Sequence, residues 1–152
     1  MLGKVFRFVK DMLRSKEFSP TRDVIRIKEQ VVCYLIKDGK NINTIEGSGN
    51  TWLYSGCQQI AYFLTGQAAT YPTSMSCNGS GGTGTVSIYS SYVDSATVAV
   101  HKGSFPASGQ RSDISAFFLT GNVTFASISV DTFTKNDGIA MEIVWRSTIT
   151  GV

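Results

Sequence analysis

One histidine, three cysteines and eleven carboxylates are what this 152-residue chain offers for moving protons or holding a metal near neutral pH. The histidine, His101, follows Val98 and Val100 and precedes Lys102-Gly103, which places it at a strand end. No Ser/Asp or Cys pattern accompanies it, so a surface or pore-lining role fits better than a catalytic base. Cys33, Cys57 and Cys77 are odd in number and widely spaced, which implies neither a zinc site nor a disulfide framework. A reducing assembly environment follows. Asp131, Asp137 and Glu142 lie close in sequence, but a turn and a strand separate them, and turn and surface roles account for them. The reading is a chain with no catalytic residue, no cofactor and no metal, hence not an enzyme.

A glycine-rich stretch is the other feature that could carry chemistry. Gly79-Ser80-Gly81-Gly82-Thr83-Gly84 matches GxGxxG in form. The dinucleotide mechanism needs a strand before the motif, a helix after it and an acidic residue ~20 positions on. Here Thr85-Val86-Ser87-Ile88-Tyr89 follows, which reads as strand, and no Lys-Ser/Thr completes a P-loop. The stretch reads as a flexible surface loop. Asn78-Gly79-Ser80 and Asn122-Val123-Thr124 match the glycosylation sequon, a short pattern that chance supplies often.

Residues 2–14 have the period of an amphipathic helix. Leu2, Val5, Phe6, Val9 and Leu13 recur at three- and four-residue spacing, with Lys4, Arg7, Lys10, Asp11 and Arg14 opposite. Ser19-Pro20 ends it, so residues 1–20 form a basic amphipathic arm and 21–152 the body. The body opens with a β-hairpin over 23–46, β-branched and turning at Asp38-Gly39. Asn50-Thr51 can cap a helix over 52–64 whose buried stripe is Leu53, Cys57, Ile60, Ala61 and Leu64. On that stripe Cys57 acts as a small hydrophobe. Strands are predicted over 85–93, 97–101, 113–120, 122–130 and 139–149, separated by Gly, Pro, Asn and Asp clusters. The last is the clearest: Ile139, Met141, Ile143 and Trp145 face one way, Glu142 and Arg146 the other. The fold class is mainly β, a jelly-roll-like β-sandwich with one short helix.

Charge divides the chain further on, after the hairpin. Residues 1–46 carry ten Lys/Arg and six Asp/Glu, and residues 47–152 carry four and five. The four cations of residues 47–152, Lys102, Arg111, Lys135 and Arg146, are too few for a groove that tracks phosphates, which argues against nucleic acid. No apolar run approaches the ~20 residues of a membrane span, and charges interrupt the apolar N-terminus where a secretion signal would need an unbroken core. With 42% hydrophobic residues a core can close unaided, while only 16% are charged. A surface filled by Ser, Thr, Gly and Asn suits a body that packs against copies of itself.

The order of motifs resembles a family. A helix opened by Asn50-Thr51 runs through Gly56 to Leu64-Thr65-Gly66, then comes a Pro-containing loop. Met75-Ser76-Cys77-Asn78-Gly79 leads into the Gly/Thr loop, and Asp113-Ile114-Ser115-Ala116-Phe117-Phe118 follows. Residues 123–130, Asp131-Thr132-Phe133-Thr134-Lys135 and the strand 139–149 with Trp145 close the chain. Over about residues 50–150 this is similar to small virion structural proteins of tailed bacteriophages, with Asp113 and Ala116 where that pattern has Glu and Gly. The resemblance implies a jelly-roll sandwich on a phage head or head-tail region, made in the host cytoplasm. It implies a capsid decoration or cement protein, a homo-oligomer (a trimer) that binds the major capsid protein. The arm residues Leu2, Val5, Phe6, Val9, Leu13, Lys4, Arg7, Lys10 and Arg14 would make that contact. A head-fibre, collar or tail component is the alternative within the class. From another class comes a host-glycan-binding module, with Tyr89, Tyr92 and Trp52 stacking on sugars. Tyr89 and Tyr92 are three apart, so on a regular strand they point to opposite faces, which works against a shared platform.

Overall fold

The computed structural model describes residues 25–49 and 52–151. The amphipathic arm with its predicted contact residues, and the Asn50-Thr51 cap, lie outside these residues. Eight antiparallel strands make one sheet: β1 (Ile25–Lys37), β2 (Lys40–Gly49), β3 (Ser74–Cys77), β4 (Thr85–Ser95), β5 (Val98–Phe105), β6 (Arg111–Thr120), β7 (Thr124–Lys135) and β8 (Ala140–Gly151). Among the described residues the helix is α1 (Tyr54–Leu64), between β2 and β3.

The opening hairpin follows from two residues. Asp38 and Gly39 both have positive φ, 51° and 76°, between the paired Lys37 and Lys40. A two-residue loop of this kind matches the right-handed twist of its flanking strands, and Asp-Gly is the pair that tolerates it. The hairpin runs further than the sequence pattern marks, to Gly49.

The strand order is β2-β1-β8-β5-β4-β3-β6-β7. The sheet folds over at β4, whose first residues pair with β3 (Met75 opposite Val86) and whose later residues pair with β5. The two outermost strands then meet. A Cβ built on Gly47 of β2 would stand 2.6 Å from Ile128 Cγ2 and 2.9 Å from the Ser129 carbonyl, both on β7. Only glycine lets these backbones approach so closely, and the sheet nearly closes on itself.

Period-2 alternation sets the inner face. Val31, Cys33 and Leu35 of β1 stand opposite Trp145, Ile143 and Met141 of β8, and all six are buried. Met75, Phe105, Ile114, Phe117, Leu119 and Ile128 complete the core from the other strands. β3 was not predicted. Its four residues, Ser-Met-Ser-Cys, alternate too briefly to register as a strand, yet Met75 and Cys77 are buried.

The helix corrects one expectation. Within α1 the buried residue is Gly56, whereas Ile60 and Leu64 of the predicted buried stripe are exposed and Cys57 is half-buried. The reason is where α1 docks. Leu53 N–H donates to the Phe125 carbonyl at 2.9 Å, and a Cβ on Gly56 would lie 2.5 Å from that same oxygen. The first turn sits on β7, and the later turns rise away from the sheet. Leu53 is the N-cap position and makes no side-chain cap.

Candidate functional site

Glu29 has full burial and a carboxylate with no cation among its hydrogen-bond partners. It lies on the inner face of β1, two residues before Val31. Trp52 Nε1–H donates to Glu29 Oε1, Trp145 Nε1–H donates to Oε2, and Ser147 Oγ donates to Oε2 at 2.8 Å. Three donors, one before α1 and two on β8, satisfy an acceptor that would otherwise cost several kcal/mol to bury. Burial nevertheless outweighs them and pushes the Glu29 carboxyl above its ordinary range. Without exposed surface the group ties the approach to α1 onto β1 and β8. Trp52, predicted as an exposed sugar-stacking ring, is instead half-buried at this junction and meets Phe125 edge to face.

His101 lies within β5, not at its end, and on the inner face, because it stands opposite the buried Trp145. Ser91 Oγ is 2.8 Å from its Nδ1, and burial lowers its pKa. Cys33 and Cys77 also point inward, and burial raises both thiols above their ordinary range. That makes them poor nucleophiles. Among the described residues, no group of three or more His, Cys, Asp or Glu comes together to hold a metal.

The glycine stretch is an exposed surface loop, and its backbone is held by side chains. The Arg111 guanidinium donates to four carbonyls, those of Asn78 (2.9 Å), Gly81 (2.7 Å), Cys77 (3.0 Å) and Gly79 (3.3 Å). Asn78 Oδ1 accepts the Ser115 and Ala116 N–H groups, which fixes the loop's other root. The loop leads straight into β4. A second cation does the same nearby: Lys135 Nζ donates to the Ala107 and Gly109 carbonyls, and Asp137 accepts the Gly109 N–H at 2.8 Å. Two of the four cations of residues 47–152 are thus spent on backbone oxygens.

The outer face of β8, β5 and β4 brings together what the sequence pattern separated. Ile88 pairs with Gly103 and Ser90 with Lys102, so Tyr89 is an extra residue in a β-bulge. A bulge turns two successive side chains toward one side. Tyr89 therefore shares the outer face with Tyr92, which stands opposite Val100, and the expectation of opposite faces fails. The contacts agree. Tyr89 Oη–H donates to Glu142, an outward residue of β8, and Lys102 Nζ lies 5.6 Å above the Tyr92 ring centroid. Beside them Arg146 pairs with Asp94 at 2.7 Å. Beneath, Val100 is fully buried although it is not part of the interior core. Both tyrosines keep substantial exposure, 57% for Tyr89 and 41% for Tyr92. The hydrogen bond to Glu142 holds the Tyr89 proton and pushes its pKa up to about 12.

Of the residues with predicted roles, the structure brings Tyr89, Tyr92 and Glu142 together and leaves Trp52 apart. Glu29 was missed, though its parity with Val31, Cys33 and Leu35 marks a carboxylate in an inward register. No family model matches the chain, and neither a curated protein nor a solved structure matches it.

Proposed function

We propose that this chain is a non-enzymatic virion structural protein, a capsid decoration or cement protein that oligomerises and binds a phage capsid shell. The observation that carries the reading is on α1. Ile60, Phe63 and Leu64, at i, i+3 and i+4, form one apolar stripe that is 37%, 74% and 58% exposed. Tyr71, just beyond the helix, is 75% exposed. An apolar stripe that its own sheet does not cover suits a contact with another subunit. The strand pairing supports the jelly-roll-like reading. β1 pairs with β8, β3 with β6 and β4 with β5, and β2 faces β7 across the closing seam. These pairs nest as in one long hairpin folded over, alongside the β1–β2, β3–β4, β5–β8 and β6–β7 pairs. The motif resemblance supplies the particle.

The test is light scattering after size exclusion, with co-sedimentation on particles that lack the protein. The wild type is expected to be a trimer and to bind. Phe63→Asp with Leu64→Asp places charge only on exposed positions, so the fold stays while association is lost. A wild type that is monomeric and does not bind, or a double variant that behaves as wild type in both assays, overturns the reading.

A further inference from the structure

We propose that the outer face of β8, β5 and β4 binds a linear, neutral hexopyranose oligosaccharide, stacked on Tyr89 and Tyr92. This surface is separate from the α1 stripe, and the inference does not depend on the assembly role. A pyranose ring presents a face of C–H groups, which packs on aromatic rings, and an edge of hydroxyls, which needs donors and acceptors. This face offers both. Tyr89 and Tyr92 supply two exposed rings, and three residues of strand separate them by up to about 10 Å, so two units of one extended chain, with one unit between them, can reach both. Glu142 has acceptor capacity beyond the single bond from Tyr89, and Lys102 has donors beyond its contact with the Tyr92 ring.

The rings are also pre-organised. Tyr89 is tethered through its hydroxyl to Glu142 of β8, Lys102 lies over one face of the Tyr92 ring, and Val100, which stands opposite Tyr92, is fully buried. Little side-chain freedom remains to be lost on binding. Charge selects the class of sugar. Two cations, Lys102 and Arg146, stand among two carboxylates, Glu142 and Asp94, and one pair is already closed as an ion pair. The balance attracts neither an acidic nor a basic saccharide.

The experiment titrates the full chain with cellohexaose, maltohexaose and mannohexaose at millimolar concentration, following backbone amide NMR shifts. At least one sugar is expected to bind and to shift the amides of β4 and β5 around Tyr89, Tyr92 and Lys102. Tyr89→Ala and Tyr92→Ala should each weaken binding by about tenfold, the ratio that 1.4 kcal/mol represents. Both positions are exposed, and unchanged far-UV spectra and melting will show that the sheet is intact. Tyr71→Ala, at a more exposed tyrosine elsewhere, should bind as wild type, and so should Phe63→Asp on α1. Three results overturn the proposal: no sugar bound by the wild type, undiminished binding in both β4 variants, or equal weakening by Tyr71→Ala. Loss of particle association in Tyr92→Ala without any sugar binding also overturns it and assigns this face to a protein contact.

Discussion

Trp52 and Trp145 donate their indole N–H groups to the two different oxygens of one carboxylate, that of Glu29. One tryptophan precedes α1 and the other lies in β8, so the carboxylate joins a loop to the sheet through directional bonds. Such a node differs from apolar packing because each partner depends on the others. If the acceptor is removed, both indoles and the Ser147 hydroxyl lose their partner at once.

Glu29→Gln tests this dependence. An amide has one carbonyl oxygen, so one indole N–H would meet an NH2 group instead of an acceptor. Leaving one buried donor unpaired costs about 1–3 kcal/mol. Urea unfolding of the two proteins should show a loss of that size with an unchanged m-value. A variant as stable as the wild type would mean that the indoles find other acceptors.

The same carboxyl should leave a signature in pH. Its folded pKa is raised above the ordinary 4.5 by burial. The native state therefore binds more protons than the unfolded chain between the two values. The stability that Glu29 contributes is complete below the unfolded pKa and is lost as pH rises through the folded one. The difference in stability between wild type and Glu29→Gln should shrink as pH increases from about 4.5, then become flat. Groups common to both proteins, such as the Asp94–Arg146 pair, cancel in that difference. A pH-independent difference would show that the donors hold the carboxyl at its ordinary value.

Gly56→Ala sets helix propensity against packing. In an exposed helix the change gains about 1 kcal/mol. Here the new methyl would stand 2.5 Å from the Phe125 carbonyl and 2.8 Å from Trp52 Cε3. Overpacking of this kind typically costs about 1–3 kcal/mol, and the nearest atom is backbone that cannot swing away. A lower melting temperature is expected, with Trp52 fluorescence altered as the helix is pushed off β7. A higher melting temperature would mean that the docking is loose.

What the residues disclosed in advance, and what they hid, divides along local and non-local lines. Asp38-Gly39 was legible because a turn depends on its own two residues. The alternation of Met141, Ile143 and Trp145 was legible because it is carried by one strand. The shared face of Tyr89 and Tyr92 was not, since the bulge exists only through the pairing of Ile88 with Gly103 on another strand. The helix shows the same limit. Its 3.6 period marks an apolar stripe, but the docking point at Gly56 depends on the course of β7. Glu29 was hidden by its neighbours, because a run rich in Val and Ile draws attention to composition and away from parity.

Arg111 gives the last prediction. Its fork reaches four carbonyls of the segment from Cys77 to Gly81, and its side chain packs against Gly84, where a Cβ would lie 2.7 Å from Cζ. The loop contains positive-φ glycines at 79, 81 and 82, so its backbone has few intrinsic restraints. Order in this segment comes from the guanidinium, from Asn78, and from a backbone bridge in which Ser80 and Ser112 exchange two hydrogen bonds. Arg111→Met keeps the side-chain stem and removes every donor, while Arg111→Lys keeps the charge but not the planar fork. Hydrogen exchange over residues 78–84 should rise strongly in Arg111→Met and to an intermediate level in Arg111→Lys. Exchange in β1 and β8, which lie across the interior, should be little changed, because opening is local. If Arg111→Lys exchanged like the wild type, charge alone would suffice and the geometry of the fork would not matter. If both variants lost protection throughout the sheet, the loop would be part of the folding core.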